Sequence, residues 1–414
     1  MSTIPSLALL PSGYKASKVY SVLPTDGTGD FTFARAGAAT RVNSEGLIEE
    51  VLSNVPRLNY PMIDGVVSGC TSLLLEPQRT NIALRSQELA TSPWILAGGA
   101  VTNNSAISPD GTLNASKIES VSGNVGGVYQ TLTSLVTGDI YTVSFYGKSG
   151  TSANLCLTIN NTAAWNTVGG KVFTSADGLN NSTWTRFEYT FAVPSTSGFN
   201  IHIGSHSEVG LTSQYLGDFY VYGVQAEKSS YPTSYIPTTS SAVTRVAETA
   251  NGAGDASTFN DSEGVLFAEI SALANTVSAY NSIGVGSGDA FNRIGLGFQP
   301  NDTIYVYKHD GTLSWLPSKV IDIKSFNKVA LSYKTNDNYF WVNGFKISSD
   351  SNVGNLSVQP NSMGFLAPFG AEQFYGNTKQ IQYFDSALND TDLETLTSWT
   401  SFSEMATSQL YSVE

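Results

Sequence analysis

Short runs of alternating apolar and polar residues recur along this chain of 414 residues. The run from Phe31 to Arg35 alternates with a period of two, and so does the run from Tyr141 to Phe145. Such alternation predicts strands with one buried face. Leu73, Leu74 and Leu75 form an unbroken apolar run that is too short for a helix. It predicts a strand buried on both faces, which ends before Pro77 because proline has no backbone N–H to donate.

Turn signals separate these runs. Asn43 to Gly46 lies between two short apolar segments and predicts a hairpin. Asp310-Gly311 and Asn343-Gly344 each lie between alternating apolar residues, which is the strongest short-range hairpin signal. Many short strands with frequent turns are typical of β-sandwiches. The sequence therefore predicts an all-β fold.

The amino-acid composition agrees with this fold class and excludes one class of function. Charged residues are only 13% of the chain, while Tyr and Phe number 20 each, a balance that favours strands over helices. The net charge is −13, with only 21 Lys and Arg residues. Nucleic-acid binding requires clustered basic side chains that displace counterions from phosphates, so we expect no nucleic-acid partner.

The cysteines and the N-terminus give the expected compartment. Cys70 and Cys156 are too few for a disulfide framework or a zinc site, so we expect both to be buried free thiols. The first residues lack a basic region, and Pro5 and Pro11 confine their apolar run. We expect no signal peptide and no membrane insertion, and therefore synthesis in the cytoplasm.

Residue patterns for catalysis are missing. Glu49 and Glu50 are adjacent in a predicted strand and point to opposite faces, so they cannot share a substrate. The chain contains neither a Glu-x-Asp-x-x-Glu strand nor a Gly-x-Ser-x-Gly elbow. His202 and His206 are four apart in a predicted strand, about 13 Å, which is too far to share a metal. We predict no catalytic residues and no enzyme activity.

Two phrases carry a first family resemblance. Residues 31–61 read FTFARAGAATRVNSEGLIEEVLSNVPRLNYP, and residues 72–94 read SLLLEPQRTNIALRSQELATSPW. They resemble an N-terminal module of bacteriophage head-spike and tail-fibre proteins, which carry lectin-like domains downstream. The resemblance covers about residues 25–95 and implies a virion protein made in the host cytoplasm. The candidate virion-docking residues of this module are Phe33, Arg35, Arg41, Glu76 and Arg79.

The middle of the chain resembles jelly-roll carbohydrate-binding modules. The resemblance rests on NIALRSQELATSPW, YTVSFYGKSG, WTRFEYTFAVP and YLGDFYVYGVQAE. It implies glycan binding on aromatic platforms and a structural calcium near the first and last strands. Asp218 sits where the closing-strand acid would lie, while Ala90 occupies the slot where an opening-strand acid often stands. Asp218 is therefore a weak calcium candidate, and we expect no other metal or cofactor.

The C-terminal part resembles laminin-G-like, concanavalin-A-like sandwiches. The resemblance rests on FNKVALSYKTNDNYFWVNG at 326–344 and on GNTKQIQYFDSALNDTDLETL at 376–396. The second phrase implies a closing strand followed by a short helix. Asn389 or Asp390 can cap that helix.

These observations predict five parts: an N-terminal virion-attachment and oligomerisation module at 1–85, a jelly roll at 86–248, a flexible linker at 249–262, a concanavalin-A-like sandwich at 263–398 and a tail at 399–414. A module of about 90 residues can hardly bury the strand Leu73–Leu75 alone, so we expect a homo-oligomer, first of all a trimer.

The predicted function is a fibre or spike of the virion. Its N-terminal module would bind other virion proteins of the capsid, portal or tail, and its sandwiches would bind host-surface polysaccharide. Exposed aromatic rings stack on sugars, which makes Trp165 and Trp315 the candidate glycan-binding residues, with Tyr215 as a lesser candidate. Two alternatives stay open, an architectural capsid or tail decoration protein without glycan binding and a polysaccharide depolymerase.

Overall fold

The computed structural model describes residues 4–63, 65–120, 126–133, 135–162, 167–194, 198–204, 216–275 and 279–398. Over these ranges the chain is almost entirely strand, with one α-helix and one 3₁₀ turn, so the predicted all-β class is confirmed. No helix in the described ranges is long and apolar enough to cross a membrane.

The strands fall into three consecutive groups. The first group is β1 (Leu7–Leu9), β2 (Tyr14–Lys15), β3 (Lys18–Val19), β4 (Phe31–Ala34), β5 (Ala39–Val42), β6 (Ile48–Val51), β7 (Arg57–Asn59), β8 (Met62–Ile63), β9 (Val66–Val67) and β10 (Ser72–Leu75). The second group is β11 (Arg79–Asn81), β12 (Ile95–Gly98), β13 (Ala100–Ile107), β14 (Leu113–Ser120), β15 (Gly127–Leu132), β16 (Ile140–Ser149), β17 (Leu155–Asn161), β18 (Thr167–Phe173), β19 (Thr185–Ala192), β20 (Phe199–Gly204), β21 (Gly217–Glu227) and β22 (Val243–Arg245). The third group is β23 (Thr249–Ala253), β24 (Gly264–Ala272), β25 (Asn281–Gly286), β26 (Asn292–Gln299), β27 (Thr303–Asp310), β28 (Ser314–Trp315), β29 (Ser318–Val320), β30 (Asn327–Tyr333), β31 (Asn338–Val342), β32 (Phe345–Asp350), β33 (Ser362–Gly364) and β34 (Gly376–Phe384), followed by helix α1 (Asp390–Ser398).

A large sandwich is built jointly by the first and third groups. One of its sheets has the order β32-β31-β30-β24-β34-β10-β7, with β1 also paired to β34. The other has the order β2-β3-β4-β23-β33-β25-β26-β27-β28, with β29 paired to β27. Leu73 lies opposite Thr378, and Phe33 lies opposite Ala250. The predicted separate module at 1–85 is therefore wrong, because its strands complete the C-terminal sandwich.

A smaller jelly roll is inserted into this sandwich. Its two five-stranded sheets have the orders β12-β15-β20-β17-β18 and β13-β14-β21-β16-β19, and they enclose a separate hydrophobic core. The chain enters and leaves it through β11 and β22, which pair antiparallel with Thr80 opposite Thr244. We call this two-stranded pair the neck. The insertion starts at Arg79 and ends at Arg245, so the predicted limits of 86 and 248 are shifted.

The predicted flexible linker at 249–262 is also wrong. Thr249–Ala253 is β23, which lies inside the ten-stranded sheet between β4 and β33. Ala250 and Ala253 are buried in the core, and Phe259 packs with its ring centroid 5.0 Å from that of Tyr383. The Gly, Ser and Asp residues of this segment are typical of a linker, and for that reason the sequence did not indicate that Ala250, Ala253 and Phe259 are buried.

The core of the large sandwich also removes the reason for expecting an oligomer. Leu73 and Leu75 are fully buried in one cluster with Leu7, Phe31 and side chains of the third group. The strand is therefore covered by its own chain, and a trimer stays a prediction without this support. Of the two thiols expected to be buried, Cys156 is buried and Cys70 is exposed.

Local predictions are confirmed more closely. The hairpins at Asn43–Gly46, Asp310-Gly311 and Asn343-Gly344 all form. Asn343 and Gly344 have φ of 49° and 85°, as the two central residues of a type I′ turn require. Asn389 caps helix α1, since its Oδ1 accepts the N–H of Asp392 at 2.9 Å.

A buried ionic network joins the neck to the large sandwich. Its five members are each at most 3% exposed and come from four separate stretches of chain: Arg35, Arg57, Glu76, and Arg245 with Glu248. Glu248 Oε1 accepts from Arg35 at 2.7 Å and from Arg57 Nε at 2.8 Å. Glu76 Oε2 lies 2.8 Å from both Arg57 and Arg245. Without these partners, each buried charge would have an uncompensated desolvation cost.

The network also balances its charge. The Thr233 hydroxyl accepts a hydrogen bond from Arg245 at 3.2 Å and donates one to the buried Glu227 at 2.5 Å. With Glu227 linked in this way to Arg245, and with the two glutamates of the network, the three arginines have three glutamates nearby. Burial acts to raise the pKa of Glu76, but Arg245 and Arg57 together with hydrogen bonds from Ser234 outweigh it and hold that pKa at about 2.

Replacing Glu248 by Gln should destabilise the whole chain. Both oxygens of Glu248 accept hydrogen bonds, so a Gln NH₂ group would face an arginine or the backbone N–H of Glu76. Breaking a buried pair by removing one partner costs about 3–5 kcal/mol. Urea denaturation measures this loss. The matched control is Glu49→Gln, which breaks a partly exposed pair with Arg41 and should cost under about 1 kcal/mol. Equal effects for the two variants would contradict the assigned role.

Two fragments of the chain should differ in whether they fold, because the jelly roll is an insertion with its own core. Residues 79–245 expressed alone should fold, because their core is self-contained. Residues 246–398 alone should not, because they lack β1, β4 and β10 and would expose the core that these strands cover. Thermal unfolding followed by near-ultraviolet circular dichroism distinguishes the two. A cooperative transition in the 246–398 fragment would show that the N-terminal strands are dispensable.

Candidate functional site

Of the predicted aromatic platform, the structure describes only Trp315. Trp165 and Tyr215 lie outside the described residues. Trp315 lies on β28 opposite Lys308, and its half-buried ring packs against the core of the large sandwich. Part of the ring is therefore used for packing, and a role of Trp315 in glycan binding stays a prediction.

The predicted virion-docking set is corrected as well. Phe33, Arg35 and Glu76 are 1%, 1% and 3% exposed, so they cannot form a surface for another protein. Phe33 belongs to the core, and the other two belong to the ionic network. Arg41 pairs with Glu49 at 2.6 Å. Arg79 keeps a partly exposed side chain. Sequence reasoning missed this outcome because the partners of these charges lie far along the chain.

Asp218 is committed to neighbours of its own. Its carboxylate accepts the hydroxyl and the backbone N–H of Thr151, the latter at 2.9 Å, and lies 3.4 Å from Lys117 Nζ. The hydrogen bond from the Thr151 hydroxyl is the main cause that lowers the pKa of Asp218. In the described parts of the chain, no three His, Cys, Asp or Glu side chains come together to hold a metal.

One face of the jelly roll carries polar side chains where a core would carry apolar ones. On β15, β20 and β17, Val128, Ile203 and Leu157 lie side by side and point into the core. The alternate positions point to the other face of the sheet. The six residues that we call the polar face are Tyr129, Thr131, Thr158, Asn160, Asn200 and His202.

The polar face is arranged in two rows across the three strands. In the first row, Tyr129 and Thr158 lie on either side of His202, and the Thr158 hydroxyl is 3.3 Å from His202 Nδ1. In the second row, Thr131 donates to Asn200 Oδ1 at 2.7 Å, with Asn160 on the other side of Asn200.

Asn160 is the unusual member of the polar face. Its side chain is 4% exposed, and its Oδ1 has no hydrogen-bond partner in the structure as described. A buried acceptor without a partner costs about 1–3 kcal/mol, so native proteins rarely keep one without a bound water, ion or ligand. Thr158, Asn200 and His202 are also at most 5% exposed, so the polar face reaches solvent only along its edge at the half-buried Tyr129 and the exposed Thr131.

The chemistry of these six side chains is that of neutral hydrogen bonding. Hydroxyl, amide and imidazole groups donate and accept together, which is what the hydroxyls of a sugar require. None of the six is a carboxylate, and glycoside hydrolysis generally uses a pair of them. The polar face is therefore suited to binding. The alternation of Thr158 and Asn160 with Leu157 and Ile159 was the sequence signal for it.

Comparisons with known proteins identify no family. No family model matches the chain, and no curated protein matches it. A solved structure that it resembles is the CBM40 module of the Ruminococcus gnavus IT-sialidase bound to α2,3-sialyllactose, at 19% identity and a TM-score of 0.31, covering 36% of this chain and 88% of that one.

Two further solved structures are similar at the same level. Domain 4 of AbnA, a GH43 extracellular arabinanase from Geobacillus stearothermophilus in complex with arabinotriose, has 14% identity and a TM-score of 0.30, covering 36% of this chain and 73% of that one. A SAP-like pentraxin from Limulus polyphemus has 11% identity and a TM-score of 0.28, covering 34% and 71%. At these TM-scores the similarities support no inference about ligand or function.

Proposed function

We propose that this chain is a carbohydrate-binding structural protein of a bacteriophage particle, a fibre or a spike. In this proposal the large sandwich is the base, and the jelly roll, carried on the neck, holds a neutral segment of host-surface polysaccharide against its polar face. The single observation that carries the glycan-binding role is the buried and unpaired Oδ1 of Asn160 within a row of neutral polar side chains.

Weak binding at each site is sufficient for such a protein. A few hydrogen bonds that compete with water give dissociation constants of about millimolar to micromolar. Several copies on one particle make later contacts intramolecular, which raises avidity by about 10²–10⁴. In the proposal the chain binds polysaccharide without cleaving it, and the lack of a carboxylate in the polar face supports this.

The virion role rests on the phrases at 31–61 and 72–94. These phrases contain Arg35, Arg57 and Glu76, which belong to the buried ionic network. In this proposal, the segments that resemble phage proteins form the joint between the large sandwich and an inserted binding domain. The surface that contacts other virion proteins then lies elsewhere on the base.

Replacing Asn160 by Ala should weaken polysaccharide binding by about two- to tenfold while leaving stability unchanged or slightly raised. The variant removes an acceptor that has no partner inside the chain, so folding loses no hydrogen bond, whereas the ligand loses one. Calorimetric titration with purified host-surface polysaccharide, combined with thermal unfolding, measures both effects.

The matched control is Asn181→Ala, which removes an exposed amide elsewhere in the jelly roll and should leave binding unchanged. Unchanged binding in Asn160→Ala would exclude the polar face as the site. Steady release of reducing ends from the polysaccharide would overturn the non-enzymatic proposal and favour the depolymerase alternative.

Purified phage particles should contain this chain. Mass spectrometry of particles banded by density, together with immunogold labelling, should place it on the particle exterior. Its absence from particles would contradict the virion role. Its presence in particles together with no binding to any host polysaccharide would favour the architectural alternative.

A further inference from the structure

A second concave site lies between the two sandwiches. It is a cleft of about 700 Å³ beside the neck, within the ~300–1,000 Å³ range typical of small-ligand sites. Ile140 and Tyr231 of the jelly roll form one wall, Tyr280 and Tyr375 of the large sandwich form the other, and Arg79 of the neck lies at its base. None of the six residues of the polar face lines it.

Arg79 is the distinctive group of the cleft. Its guanidinium carbon lies 5.6 Å from the centroid of the Tyr231 ring, and one nitrogen donates to the backbone oxygen of Gln78 at 2.8 Å. Its Nε is buried without a hydrogen-bond partner, and no carboxylate of the described chain lies within 4.0 Å of the guanidinium. A second nitrogen donates to the Tyr231 hydroxyl at 3.5 Å, so Tyr231 holds the guanidinium in place, while the N–H of Nε has no partner inside the chain.

The other charges in the cleft leave Arg79 as the group for an anion. Lys228 is neutralised by Asp139 at 2.7 Å. Glu372 also lines the cleft and brings a negative charge to its large-sandwich wall, and its backbone oxygen accepts the N–H of Ser282 at 2.9 Å. Arg79 lies beside Tyr375, where its charge opposes the rise that burial imposes on the pKa of that phenol. The cleft thus has a positive charge at the neck and a negative charge on the large-sandwich wall, so an anionic group of a ligand fits at Arg79 and not beside Glu372.

An aromatic surface completes the site. Tyr280 is 45% exposed, and its ring is held edge-on by Tyr305 at a centroid distance of 5.3 Å. A ring that is fixed at one edge and open on a face is suited to stacking on a sugar.

We propose that this cleft binds an acidic saccharide, with the sugar carboxylate on the Arg79 guanidinium and a sugar ring against Tyr280. The choice of a saccharide rests on the proposed function, whereas the choice of an anion rests on Arg79 alone. Such a ligand touches both sandwiches at once, so it binds the folded arrangement and stabilises it.

The test uses the full-length chain and defined oligosaccharides. Trisaccharides that contain glucuronate or galacturonate are compared, by calorimetric titration and thermal shift, with their carboxyl-reduced neutral counterparts and with sulfated neutral trisaccharides. The acidic sugars should bind and raise the unfolding temperature, and carboxyl reduction should weaken binding by about tenfold or more, the scale of one hydrogen bond to a charged group. Binding of the sulfated sugars alone would overturn the carboxylate assignment.

Arg79→Gln should weaken binding of the acidic trisaccharides by about tenfold or more, and Arg79→Lys should restore only part of it, because lysine keeps the charge without the planar fork. Arg85→Gln, which removes a surface arginine paired with Glu88, is the matched control and should bind as the unmodified chain does. Equal binding of acidic and neutral sugars, or unchanged binding in Arg79→Gln, would overturn the proposal.

The assignments of the polar face and of the cleft can be disproved independently of each other. Asn160→Ala should leave acidic-trisaccharide binding intact, and Arg79→Gln should leave binding at the polar face intact. Loss of neutral polysaccharide binding in Arg79→Gln would show that the cleft is the site of the proposed function and that the polar face is not.

Discussion

Three arginines and two glutamates buried in one place hold this molecule together. They come from four stretches: Arg35 follows β4, Arg57 lies in β7, Glu76 follows β10, and Arg245 and Glu248 lie together at the end of β22 and just before β23. Charges without solvent must be paired, so the network forms only when all four stretches are in place. It therefore specifies how the two ends of the chain and the neck meet.

The insertion of the jelly roll follows from this joint. The chain leaves the large sandwich after β10 and returns to it at β23, and the neck brings exit and return together. Two antiparallel strands fix the inserted domain more firmly than a single linker does, because both its ends are held. The cleft beside the neck exists only because the two sandwiches are fixed in this way, and neither wall alone would form it.

The polar face and the cleft present different chemistry for binding. The polar face is neutral and lies on strands of a rigid sheet, where Asn160 keeps an unpaired acceptor that folding alone does not explain. The cleft presents a guanidinium fixed on an aromatic ring between two domains. Each site contains one buried polar atom without a partner inside the chain, Asn160 Oδ1 in the polar face and Arg79 Nε in the cleft, and such atoms are costly unless something outside the chain satisfies them.

The sequence alone determined the local structure. Alternation and turn residues predicted the strand at Phe31–Ala34, the hairpin at Asn343-Gly344 and the cap at Asn389, because a period of two, a positive φ and a capping side chain act over a few residues. Tertiary structure alone decided which segments meet. Glu248 bonds to Arg35 and Arg57 across 213 and 191 residues, and β10 joins β34 across about 300. Local patterns mark a strand or a charge but not its partner. For that reason Glu76 and Arg35, which look like surface charges in the sequence, are buried, and a segment that looks like a linker is a strand inside a sheet.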